Sequence, residues 1–75
     1  MTSLDAAVAD ARAKFAAAGL PDAAMEARML IGGLLGLTST EVFSGGERVL
    51  TAAEAATIAD AVARRLKREP VHRIL

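Results

Sequence analysis

Apolar residues recur at helical spacing in successive segments of this chain, separated by glycines, prolines and short polar links. Leu4, Val8, Ala11, Phe15 and Ala18 fall on one stripe, which predicts a first helix over about Ser3 to Ala18. Thr2 or Ser3 can cap its start, and Gly19 stands where a left-handed residue ends a helix. Pro21 cannot prolong that helix, and Asp22 is the expected N-cap of a second one running to about Leu35. Its apolar face, Ala24, Ala27, Leu30, Ile31, Leu34 and Leu35, is broad enough for a central, largely buried position. Gly32 and Gly33 lie inside it at about 1 kcal/mol each relative to alanine. Either a neighbouring backbone approaches there, or the helix kinks or ends early.

Gly36-Leu37 closes the second helix, and two capping boxes then mark two further starts. Thr38 with Glu41 opens a short helix over Ser39 to Ser44, with Val42 and Phe43 as its expected core contacts and Gly45-Gly46 at its end. Thr51 with Glu54 opens a longer one from about Ala52 to Arg68, with Ala55, Ile58, Val62 and Leu66 facing inward and Leu50 stapled against Ala55. Pro70 biases Glu69 away from the helical region and stops it. Asp10 with Lys14 and Asp60 with Arg64, each four apart, are expected to pair on outer faces. With no strand-period segment, the expectation is an all-α fold: a small antiparallel bundle of four helices, one of them short, with residues 70–75 as a fifth turn or a linker.

Composition narrows the chemistry. Of the residues counted as hydrophobic, 18 are alanine, so few large side chains carry the packing of a chain of 75 residues. There is no Cys and a single His, His72, which leaves no thiol nucleophile, disulfide or structural zinc set. Asp22, Glu41 and Glu54 read as helix-start charges rather than catalysts, and the paired glycines lack the preceding strand of a phosphate or cofactor loop. The expectation is no catalytic, cofactor-binding or metal-ligating residue in these 75. The N-terminus has no secretory pattern and the apolar run Met29 to Leu37 is too short to span a bilayer, so a cytoplasmic protein without a membrane partner is the default.

Net charge is zero, yet five of the nine Lys and Arg fall after residue 60. Arg64, Arg65, Lys67, Arg68 and Arg73 complement a helix C-terminus; the competing reading is a nucleic-acid or ribosome contact. The large aliphatics Ile74 and Leu75 at the end suggest the front of a longer protein.

The order of these parts resembles a known family. Leu35-Gly36-Leu37-Thr38, then Leu50 to Glu54, then Arg64-Arg65 with Glu69-Pro70-Val71 and Ile74-Leu75 look like the N-terminal domain of the release-factor glutamine methyltransferases, the HemK/PrmC family. Arg68 stands where glycine is frequent in that family and Arg73 where tyrosine is. The resemblance implies a parent enzyme that carries a methyl group from S-adenosylmethionine to a release-factor glutamine. Its cofactor loop and Asn-Pro-Pro-Tyr motif would lie in a separate C-terminal domain, since this chain has neither Asn nor Tyr. It further implies a helical recognition domain over 1–69 that helps bind the release factor, acts as a monomer, and leads through 70–75 into the catalytic domain. Arg64, Arg65, Arg68, Pro70, Val71, Arg73, Ile74 and Leu75 are then the candidate partner or domain-junction residues. A stand-alone nucleic-acid-binding or oligomerising helical module is the alternative.

Overall fold

The computed structural model describes residues 2–75 and places five helices in them: α1 (Leu4–Ala17), α2 (Ala23–Leu35), α3 (Ser39–Ser44), α4 (Ala52–Leu66) and α5 (Val71–Ile74). The fold is all-α. Among the described residues the only extended pairing is an isolated antiparallel bridge between Ser3 and Val49.

That bridge solves a problem at the start of α1, whose first N–H groups have no partner within the helix. Leu4 N–H donates to the Arg48 carbonyl at 2.8 Å and Asp5 N–H to the Gly46 carbonyl at 3.0 Å. Ala6 N–H donates to Ser3 Oγ at 3.1 Å, so Ser3 and not Thr2 is the side-chain cap. Thr2 instead accepts from Leu50 N–H through its own carbonyl, 2.9 Å. The link before α4 is thereby fastened to the front of α1, a pairing that no periodicity in either segment announces.

At its other end α1 stops one residue earlier than expected, at Ala17. Gly19, at φ +81°, lets its N–H reach the Ala16 carbonyl while Leu20 N–H reaches that of Phe15, both at 3.0 Å. This is a Schellman end, and Leu20 is buried over it. The inward stripe is Leu4, Ala7, Ala11 and Phe15. Val8 and Ala18, expected on it, are half-buried at its edge.

Asp22 holds the N-cap position of α2 but makes no side-chain cap hydrogen bond. Its φ of 53° puts it in the left-handed region, and only its carbonyl serves the helix, accepting from Glu26 N–H at 2.9 Å. The expected side-chain cap is therefore corrected: the left-handed backbone of Asp22 departs from the extended conformation in which an N-cap side chain accepts from the first turn. Helix α2 then runs unbroken through Gly32 and Gly33 to Leu35. A Cβ on Gly32 would stand 3.0 Å from the Leu37 carbonyl oxygen and 3.1 Å from Val42 Cγ2, so here the glycine does admit a neighbouring backbone.

Both capping boxes form in full. Glu41 N–H donates to Thr38 Oγ1 while Thr38 N–H donates to Glu41 Oε1, and Thr51 with Glu54 repeats the arrangement. Val42 is buried, but Phe43 is 83% exposed and is no core contact. A helix of six residues on the edge of the fold turns one side inward, and successive residues lie about 100° apart around the axis.

Helix α4 buries Ile58, Ala61 and Val62, with Ala55 and Leu66 half-buried. It ends at Leu66, two residues before the expected Arg68, and the reason lies in Arg68 itself, at φ +70°. Arg68 N–H donates to the Arg65 carbonyl and Glu69 N–H to that of Arg64, a second Schellman end with an arginine in the left-handed position. Pro70 then caps α5 with extended backbone, and Ile74 is buried in the common core. Phe15, Leu4, Leu30 and Ile31, all on α1 and α2, are the largest fully buried side chains.

Candidate functional site

The eight candidate residues sit on the last turn of α4, the Schellman turn and α5. Three arginines, read from the sequence as one basic cluster, go to three different internal partners. Arg64 holds Glu69 through two parallel hydrogen bonds, Nε to Oε2 and Nη2 to Oε1, both 2.7 Å. That fork raises the Arg64 pKa above its ordinary value and holds the Glu69 carboxyl below the usual range of a glutamate, in each case chiefly through the hydrogen bond between them. The expected pairing of Arg64 with Asp60 is not formed: the bidentate partner across the turn wins over the single contact four residues back. Asp10 and Lys14 do pair, at 2.9 Å.

Arg65 reaches across to α2 and pairs with Glu26, and its Nη1 also donates to the Glu69 carbonyl at 3.4 Å. With the Glu26 and Arg65 side chains 13% and 19% exposed, this is the most sheltered ion pair among the described residues. Nothing in the spacing of residues 39 apart points to it. The visible signal in the sequence is Glu26 itself, one of two charged residues, with Arg28, in a helix that is apolar at every other position.

Arg68 donates from Nη2 to the Ala18 carbonyl at 2.7 Å. It therefore serves the C-terminus of α1 rather than the dipole of the helix it follows. Lys67, His72 and Arg73 stay exposed.

Beyond the turn, the Pro70 carbonyl accepts from Arg73 and Ile74 N–H groups, at 3.0 and 3.2 Å. Val71 packs half-buried against the core beside Ile74. Leu75 is 55% exposed, yet its side chain lies over α2: a Cβ on Gly33 would fall 2.7 Å from Leu75 Cδ1 and 2.8 Å from Cδ2. The second glycine of the pair thus makes room for the last residue of the chain.

Among the described residues no polar or charged side chain is buried, and no three of His, Asp and Glu stand close enough to share a metal. A groove of about 240 Å³ between α1 and α4 is floored by Ala6, Ala7, Leu50, Ile58 and Val62 and rimmed by the Asp10–Lys14 pair. Among the described residues no helix is long and apolar enough to cross a membrane.

Fold and site define a small helical module in which Arg65 and Arg68 tie separate helices together and Arg64 closes the turn after α4. The family model described as the PrmC N-terminal domain matches residues 6–75, and the chain belongs to that family. Proteins named release factor glutamine methyltransferase are similar to it. That of Bradyrhizobium diazoefficiens is 41% identical over 97% of this chain and 25% of its own length. That of Agrobacterium fabrum is 42% identical over 87% of the chain and 22% of its length, and that of Rhodospirillum rubrum 43% over 77% and 18%. The chain thus spans about a quarter or less of the curated relatives it matches. No solved structure gives a significant match.

Proposed function

We propose that this domain helps a release factor glutamine methyltransferase engage its protein substrate in the cytoplasm, acting as one copy beside a catalytic domain of the same polypeptide. The observation that carries the reading is the family match over residues 6–75 together with relatives so named. Residues 1–69 are the recognition domain and 70–75 the lead into the catalytic one. Among the described residues no strand runs into a glycine loop and no polar side chain is buried, so the donors that cradle a nucleoside cofactor are not assembled in them. S-adenosylmethionine, which supplies the methyl group in this reading, is therefore assigned to the catalytic part.

The nucleic-acid alternative weakens on geometry, because Arg64, Arg65 and Arg68 already hold Glu69, Glu26 and Ala18. Two measurements test the proposal. Codons beyond 75 should encode a cofactor glycine loop and Asn-Pro-Pro-Tyr; their absence sinks it. In the complete enzyme, removal of residues 1–69 should lower kcat/KM for the release factor while S-adenosylmethionine binding persists. Unchanged kcat/KM would leave the domain without a recognition role.

A further inference from the structure

One outward face of α2 is apolar where a helix surface is ordinarily polar. Met25 and Met29 are 50% and 48% exposed, and with Gly33 they stand four apart, on one line along the helix. Leu75 lies on Gly33, so the line continues Met25, Met29, Leu75: three flexible or branched apolar side chains in a row, each about half in water. The Glu26–Arg65 pair closes one flank of α2.

Methionine-lined surfaces adapt their shape to what they meet, and contiguous exposed apolar surface marks a contact. Two observations say which contact. Helix α5 delivers residue 75 onto the stripe itself, so any polypeptide that follows begins there. The matched family is an N-terminal domain, and the relatives carry at least three-quarters of their length outside the match.

We propose that the Met25–Met29–Leu75 stripe is the seat of the C-terminal catalytic domain of the same polypeptide, with Gly33 as the positioning residue that lets Leu75 lie flat at the hinge. The inference rests on the methyltransferase reading above and adds the surface through which the two parts meet. The stripe then serves the domain junction, and release-factor contacts fall on other faces.

The test uses the complete protein and reads peroxide oxidation of Met25 and Met29 by mass spectrometry, against a methionine peptide in the same tube. With no release factor added, both methionines should oxidise about fivefold or more slowly than the peptide, because oxidation follows exposure. Met29→Glu should return Met25 toward the peptide's rate, while Phe43→Glu, a charge at another exposed apolar position, should leave both methionines protected. Oxidation at the peptide's rate overturns the proposal, as does protection that appears only with release factor present. Protection of Met25 that survives Met29→Glu also overturns it. Methyl transfer by the same preparation is measured separately: an active enzyme with unprotected methionines sinks the seat alone, and an inactive one sinks the reading beneath it.

Discussion

The guanidinium of Arg68 donates to the carbonyl of Ala18 across 50 residues of sequence, from a backbone position with φ of +70°. The two facts pull in opposite directions. A left-handed conformation costs a non-glycine residue roughly 1 to 2 kcal/mol, while the charge-assisted bond, solvent-exposed here, returns an amount of the same order. Arg68→Ala loses the bond and keeps the strain; Arg68→Gly loses the bond and relieves it. Urea denaturation should find the glycine variant about 1 kcal/mol more stable than the alanine variant. Equal midpoints would mean that the backbone is not strained there. The left-handed backbone is then explained by the turn, and the arginine by its reach to α1.

Glu26 and Arg65 hold α2 to α4 in a partly sheltered place. Removing one partner strands the other, so Glu26→Ala and Arg65→Ala should each destabilise, and the double variant should lose less than the two losses added. A double-mutant cycle is expected to give a coupling of about 1 to 2 kcal/mol. Strict additivity would show that the pair contributes nothing between the helices.

Acid should release the fork at the end of α4. The Glu69 carboxyl titrates below its unfolded value, so its contribution is present above the ordinary glutamate range and is lost as pH falls through and below about 4.3. Arg64 shifts upward, which places its release in strong alkali and leaves the acid limb to the carboxylate. Stability measured against pH should fall less steeply on the acid side in Glu69→Gln than in the parent. Superimposable acid limbs would refute the assignment.

Core and surface should separate cleanly. Ile58→Ala or Leu30→Ala should cost about 2 to 5 kcal/mol, since both side chains are buried. Thr51→Ala should cost about 1 kcal/mol through the lost cap. Phe43→Ser should stay within about 0.5 kcal/mol of the parent by denaturation, because the ring lies in water. A large loss at Phe43 would place it in a contact that this fold does not contain.

What could be read from the residues was whatever a segment decides by itself. Thr38 with Glu41 and Thr51 with Glu54 fix two helix starts within four residues each, and Gly19 ends α1 by its own backbone freedom. Contacts made across the fold left no such trace: Arg65 with Glu26, Leu75 on Gly33, Leu4 N–H on the Arg48 carbonyl. Phe43 and Arg68 failed for a related reason. An apolar side chain on a short helix has no pattern long enough to fix its face, and the propensity of arginine for helix is overruled by the Schellman turn, which holds Arg68 in the left-handed region.

The four largest fully buried side chains belong to α1 and α2, while α5 contributes only Ile74 to the deep core. Local opening follows that imbalance. In hydrogen exchange the amides of α1 and α2 should be the last to yield. Those of α5 should go first, so the molecule loosens at its final turn while the paired helices that carry Phe15 and Leu30 remain closed.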